Sequence, residues 1–176
     1  MRNTVLFIAM SLDGYIADQS GKVDWLTGQN AGKDDMETYN QFIQTVDTVV
    51  MGWKTYHQII SELSPSQWVY PNLTSYVITH HESPSSNIVQ FTQQAPGSLI
   101  RKLKQQAGKD IWICGGADIA GQLIQENLID RYHISVIPTL LGRGIRLFGR
   151  TDQEIKLKLL KTQSYNGITD LIYERR

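Results

Sequence analysis

The sequence predicts an α/β fold: a mixed, mostly parallel sheet flanked by helices, with an antiparallel edge at its C-terminal end. Three observations predict it. Short runs that are nearly all apolar, "TVLFIAM" (4–10), "TVVM" (48–51) and "DIWIC" (110–114), read as strands buried on both faces. Stretches with apolar residues at helical spacing lie between them. Near the C-terminus "IKLKLLKTQSY" and "ITDLIYERR" alternate instead, around Asn166-Gly167, the pattern of an antiparallel pair with a tight turn.

The elements follow in order. After the first strand, "SLDGYIADQSGKVDWLTG" carries Gly14, Gly21 and Gly28 and reads as a long loop. Lys33 to Thr45 predicts a helix, with Met36, Tyr39, Phe42 and Ile43 on one stripe continuing to Val46. The strand 48–51 runs into Gly52, and a helical pattern covers Tyr56 to Ile60. "SYVIT" (75–79) and "NIVQF" (87–91) are the third and fourth strands. Gly97 and Ser98 introduce a helix to about Gln106, with Leu99, Ile100 and Leu103 inward. After the fifth strand come Gly115-Gly116 and a helix over Ala117 to Glu126; "RYHISVI" is the sixth strand, ended by Pro138. Strands alternate with helices early and dominate late, which sets the fold class.

At 176 residues the chain predicts one domain, 1–176, with a single core. Lys plus Arg and Asp plus Glu balance at 17 each, so no net field recommends nucleic acid or an acidic membrane as partner. Cys114 is the only cysteine, which excludes an intramolecular disulfide and a cysteine metal cluster. His57, His80, His81 and His133 show no ligand spacing with carboxylates, so no metal site is expected. Met1 to Met10 is too soon interrupted by polar residues for a signal peptide or a membrane span, and a cytoplasmic protein is expected.

Ligands in this architecture bind at the C-terminal ends of parallel strands. Three ends stand out: Met10 into "SLDG", Met51 into "GWKT" and Cys114 into "GGADI". Strand, glycine, helix is a recipe for holding phosphate, because first-turn amides lack intrahelical partners and the helix dipole adds positive charge. Gly52 and Gly115-Gly116 could hold the two ends of a diphosphate, with Lys54 and Thr55 adding a charge and a hydroxyl. A glycine pair also serves as a plain tight turn. The pattern is not G-x-G-x-x-G and lacks the distal acidic residue, which argues against a standard dinucleotide fingerprint.

Together, "VLFIAMSLDGYIA", "VVMGWKTY", "YVIT", "IWICGGADIAGQLI" and "LIDRYHISVIPTLLGRGIRLF" resemble, in order and spacing, the dihydrofolate reductase superfamily. They are most similar to the branch containing the reductase domain of bacterial riboflavin biosynthesis, over roughly residues 4 to 174. The resemblance implies an eight-stranded sheet, a homodimer and an NADPH-dependent reductase acting on a small heterocycle. Its model activity is 5-amino-6-(5-phosphoribosylamino)uracil reduction. Dihydrofolate reduction, or NADP(H) binding without turnover, is the alternative. By the same resemblance Ala9 and Ile16 flank the nicotinamide, and Gly52, Lys54 and Thr55 meet the pyrophosphate. Thr79 lies at the adenosine end, while Gly115, Gly116, Ala117, Asp118 and Ile119 cradle the diphosphate.

The departures matter. Trp53 stands where relatives often carry an arginine for the 2′-phosphate of NADPH, and His80 or His81 is the candidate substitute. Cys114 stands where the riboflavin-pathway enzymes tend to carry glutamate. No deaminase unit is expected upstream, since the chain starts at the first reductase strand. Dihydrofolate reductases carry one carboxylate on the first helix; here Asp34, Asp35 and Glu37 crowd its start and read as a solvated N-terminus. Asp13 is the candidate catalytic residue. At the mouth of the first strand it could bind a substrate amine or order a water, or else cap the loop before Gly14 as an Asx-turn.

Overall fold

The computed structural model describes residues 1–33, 36–151 and 154–176. Strand β1 (Thr4–Ser11) is followed by a short β2 (Tyr15–Ala17), helix α1 (Glu37–Ile43), and β3 (Val46–Gly52). Helix α2 (Trp53–Gln58) continues into a π-helical turn, Ile59–Leu63, before β4 (Thr74–Ile78) and β5 (Val89–Thr92). Next come α3 (Pro96–Lys104), β6 (Asp110–Gly115), α4 (Ala117–Gln125) and β7 (Arg131–Ile137). The chain closes with β8 (Ile145–Arg146), β9 (Leu157–Tyr165) and β10 (Ile168–Arg175).

Eight strands form one sheet in the order β5-β4-β3-β6-β1-β7-β10-β9. Pairings from β5 to β7 are parallel, and β10 runs antiparallel to both β7 and β9. The mostly parallel sheet with an antiparallel C-terminal edge is therefore as expected from the apolar runs. Asn166 (φ 47°) and Gly167 (φ 79°) close the β9–β10 hairpin with two left-handed residues, the geometry that matches strand twist.

The sheet separates two cores. On one face Leu6, Val50 and Ile113 meet Leu99, Ile100 and Leu103 of α3 and Leu123 of α4. On the other, Val5, Val49, Met51 and Trp112 meet Phe42 of α1 and Ile59. Helix α3 starts at Pro96, whose missing N–H costs nothing in a first turn, and ends on Arg101, Lys102 and Lys104, which complement its dipole.

Three elements differ from the sequence reading. β2 and β8, inside stretches read as loop, pair antiparallel with each other (Tyr15↔Arg146, Ala17↔Ile145). The Arg146 guanidinium lies 4.7 Å over the Tyr15 ring and reinforces that pairing. Helix α1 is shorter than the span 33–45; of its three N-terminal acids, Asp34 and Asp35 lie outside the described residues.

Candidate active site

The cleft is built on β1. As the strand between β6 and β7, with helices over both faces, it should be buried throughout. Thr4, Val5 and Leu6 are, but Phe7, Ile8, Ala9 and Met10 all remain partly exposed. The covering layers therefore part over the C-terminal half of the strand. Phe7 pairs with His133 and Ala9 with Ser135, which puts all four side chains on the α1 face. Ile8 and Met10 look to the α4 side, where Ile16 packs with them. Ala9 and Ile16 thus bracket the end of β1 from opposite faces.

On the α4 side two helix starts converge. Gly52 and Gly116 are the N-caps of α2 and α4, and neither helix has a side-chain cap. Because β3 and β6 are neighbours, the two ends sit together. A Cβ on Gly52 would lie 3.4 Å from Ile119 Cγ1, and one on Gly116 3.5 Å from Thr55 Oγ1. Gly115 has φ +131°, a backbone that side chains rarely adopt, and the Gly115–Gly116 peptide bond is cis. The result is a bare floor below uncapped first-turn amides with the Thr55 hydroxyl beside it, which suits an anion. Lys54 is exposed at the same rim. Ala117 and Ile119 offer backbone only, since the Ile119 side chain is buried in the core. Asp118 points an exposed carboxylate outward from the first turn.

The neighbouring strand end supplies an aromatic surface. Trp53 lies 4.5 Å from the His81 ring, tilted by 33°, and 6.0 Å from His57. Both adjacent histidines are exposed, and it is His81 that meets Trp53. Thr79 is buried, and its hydroxyl accepts a hydrogen bond from the His81 N–H (2.9 Å).

On the α1 side the rings of Phe7, Tyr39, Tyr70 and Trp112 pack together beside the open half of β1, and this cluster marks the candidate substrate slot. The Trp112 indole donates to the Phe7 carbonyl (2.9 Å), and the Tyr70 hydroxyl lies 3.6 Å from Cys114 Sγ. Burial pushes the Cys114 thiol up to about 11 and raises the Tyr70 phenol well above its usual range. Both groups stay protonated at neutral pH, so Cys114 is no ready nucleophile.

Behind the slot is a carboxylate the sequence did not flag. Asp170 of β10 is fully buried. Its Oδ1 accepts from Ser135 Oγ (2.6 Å) and the Tyr165 hydroxyl (3.3 Å), and its Oδ2 from Gln163 Nε2 (3.0 Å). His133 Nε2 faces Oδ2 at 3.7 Å, too long for a hydrogen bond, and has no other partner among the described residues. Burial alone would raise the Asp170 carboxyl, but the His133 ring, Ser135 and Gln163 together overcome that and hold it at about 2. Gln163 Nε2 also donates to Thr38 Oγ1 of α1 (2.7 Å), which ties the sheet to its covering helix.

Asp13 does not close the turn before Gly14; its carboxylate is held by Ser11 and by a distant loop. Its Oδ1 accepts from Ser11 Oγ (2.5 Å) and the Leu141 N–H (3.1 Å), and its Oδ2 from the Gly142 N–H (2.7 Å). The Ser11 hydroxyl, with these backbone donors, lowers its pKa to about 2 against a smaller burial effect. A carboxylate so engaged is a poor proton donor, and it clasps the 138–144 loop to the mouth of β1. The turn before Gly14 is closed by other atoms: the Gly14 N–H reaches the Ser11 carbonyl, and the Tyr15 N–H reaches Ser11 Oγ (both 2.9 Å). Nor does the described part of α1 place a carboxylate in the slot. Glu37 accepts from Gln41 Nε2 (3.2 Å) on the exposed surface.

Two concavities, of about 410 and 180 Å³, open at the opposite end of the strands, lined by Asn127, Lys156 and Arg175 and by Asn3, Asp130 and Arg131. They lie away from the strand ends where the glycines meet. No helix among the described residues is long and apolar enough to cross a membrane.

The RibD C-terminal domain family matches residues 2–170. The Bacillus subtilis (strain 168) uncharacterized protein YwjB is 40% identical over 175 residues, covering 99% of this chain and 98% of that one. Riboflavin biosynthesis protein RibD of Haemophilus influenzae is 24% identical, covering 80% of this chain and 48% of RibD. Among solved structures, a Shewanella sp. PV-4 protein named for riboflavin biosynthesis superposes with a TM-score of 0.84 at 28% identity, covering 99% of both chains.

Proposed function

We infer from one premise, that the chain belongs to the RibD C-terminal domain family, that it is an NADPH-dependent oxidoreductase reducing a small heterocyclic substrate. The observation that carries this reading is the pair of glycine-capped helix starts facing each other beside the open half of β1. A diphosphate fits there: the floor has no Cβ atoms, and the nearest side-chain polar group, Thr55 Oγ1, can donate.

Bound in that cradle, NADPH supplies a hydride to a C=N or C=O carbon. The chain's own part is binding and orientation. First-turn amides of α4 and the Thr55 hydroxyl hold the diphosphate, while Lys54 adds a positive charge at the rim. Trp53 and His81 form a flat surface for the adenosine end. Ala9, the smallest side chain on the open half of β1, lets the two rings approach from opposite faces. Asp13 holds the loop that walls the mouth. Tyr39 and Tyr70 remain protonated and keep the slot supplied with hydroxyl donors.

The relatives' names direct the substrate search first to the pyrimidines of riboflavin synthesis. Dihydrofolate comes second, because the described part of α1 brings no carboxylate to the slot. The test is calorimetric titration with NADPH and, separately, NADH. Micromolar NADPH binding is expected. Gly116→Val should weaken it at least tenfold, because its branched side chain would stand on the floor between the two helix starts. If the wild-type protein binds neither nucleotide, the reading is wrong.

A further inference from the structure

We propose that His81 recognises the phosphate monoester that distinguishes NADPH from NADH, so that the preference for NADPH rises as the pH falls from 8 to 6.5. The proposal rests on the cofactor reading above and adds which side chain selects the cofactor and under what conditions.

The sheet order sets where that group falls. From β1, whose open half takes the reactive ring in that reading, a dinucleotide crossing the strand ends passes β6 and β3 and reaches β4. That is three strand spacings, about 14 Å. The diphosphate cradle occupies the middle, at the ends of β6 and β3. The ribose bonded to the far end of the diphosphate therefore comes to the start of α2 and the end of β4. Gly52 is the register partner of Ile78, so the two strands end level. Trp53 and the residues after Ile78 leave the sheet side by side.

His81 is built into that corner. The hydroxyl of buried Thr79 accepts its backbone N–H (2.9 Å), which fixes the turn out of β4. The imidazole lies against Trp53, with ring centres 4.5 Å apart and a tilt of 33°, yet His81 is exposed to water. Neither of its ring nitrogens has a hydrogen-bond partner among the described residues. His57 stands farther from Trp53, at 6.0 Å, and its Nδ1 lies 3.5 Å from Ser61 Oγ on the next turn.

The charges nearby leave few other choices. No arginine occurs between Arg2 and Arg101. Around the corner α2 carries Lys54, Tyr56 and His57, the turn after β4 carries His80 and Glu82 beside His81, and the first turn of α4 carries Asp118. β5 brings Phe91 to Trp53 and no charged side chain. A lysine keeps its charge throughout the neutral range, so Lys54 attracts a phosphate equally at pH 8 and pH 6.5. The carboxylates repel it equally at both. Histidine is the residue type whose charge changes over that interval.

The sign of the pH effect separates the two kinds of site. A phosphate monoester loses its second charge near pH 6. Held by lysine and backbone amides alone, it binds more weakly as the pH falls. Held by a histidine that gains charge, it binds more tightly down to about pH 6.5 and weakens only below.

The experiment titrates NADPH and NADH into the whole protein by calorimetry at pH 8 and pH 6.5, at constant ionic strength. The ratio of the two affinities cancels everything the nucleotides share, the diphosphate included. In wild type the ratio should be about threefold higher at pH 6.5 than at pH 8. His81→Gln should lower the ratio and make it fall on acidification. His81→Lys should restore a preference for NADPH without the rise. Both substitutions sit at an exposed position, and the melting temperature of each variant checks that the fold is kept. A wild-type ratio that is flat or falls on acidification overturns the proposal, as does a rise retained in His81→Gln. Binding of both nucleotides with a ratio near one at both pH values overturns it while the cofactor reading stands. Failure of both nucleotides to bind removes the cofactor reading and the proposal together.

Discussion

Asp170→Asn should remove a defined portion of the protein's acid sensitivity. The carboxyl titrates at about 2 in the fold against an ordinary value of 3.8. The native state therefore binds its proton more weakly than the unfolded chain does. Such a group adds stability above the unfolded value and loses it as the pH falls through the folded one. The full contribution is about 2 kcal/mol near neutrality, and about half of it is gone by pH 3. Asparagine has no such transition. Between pH 5 and pH 3 the wild-type protein should therefore lose about 1 kcal/mol more than Asp170→Asn. In urea, with a slope of about 2 kcal/mol per molar, that is an extra midpoint shift of about 0.5 M. The variant should also be less stable at pH 7, since it leaves donors around a weaker acceptor. Parallel shifts of the two midpoints between pH 5 and pH 3 would refute the account of how this carboxylate is held.

Two further outcomes follow from the site and the sheet. Asp13→Asn should free the 138–144 loop, seen by mass spectrometry as several-fold faster tryptic cleavage after the exposed Arg143 with little change in melting temperature; unchanged cleavage would rule out the clasp. We further propose a homodimer that covers Leu159 and Leu160, which lie exposed on edge strand β9. Sedimentation should give a dimer for wild type and a monomer for a Leu159→Lys, Leu160→Lys double variant, and a wild-type monomer would end that proposal.

The sequence made the scaffold legible because its signals are local. β1, β3 and β6 are short apolar runs, and Gly52 and Gly116 mark the helix starts that follow β3 and β6. β2 and β8 were illegible because three residues and two residues carry no periodicity, and their pairing joins positions far apart in the chain. Asp170 and Ser135 escaped for another reason: each is a polar residue in an alternating strand, where such residues usually face water. A signal was present. Asp170 falls in phase with Ile168 and Ile172, the inward set of β10. Asp13 was seen, but its partners, Leu141 and Gly142, lie far along the chain, and nothing local announces them.

The position of β10 has a consequence for how the protein comes into being. β10 follows every other strand in sequence, yet it lies inside the sheet, and β9 has no other neighbour. The two must therefore dock together, as a hairpin that forms in microseconds about the Asn166-Gly167 turn. That turn also reaches back across the molecule: the Asn166 carbonyl and side chain hold the backbone N–H groups of Gln29 and Asn30. Until the hairpin arrives, β7 is an open edge, Ser135 has nothing to orient it, and the loop after β2 has no anchor. A growing chain can thus complete residues 46 to 119, with both glycine-capped helix starts, well before Asp170 arrives to close the other side of the sheet.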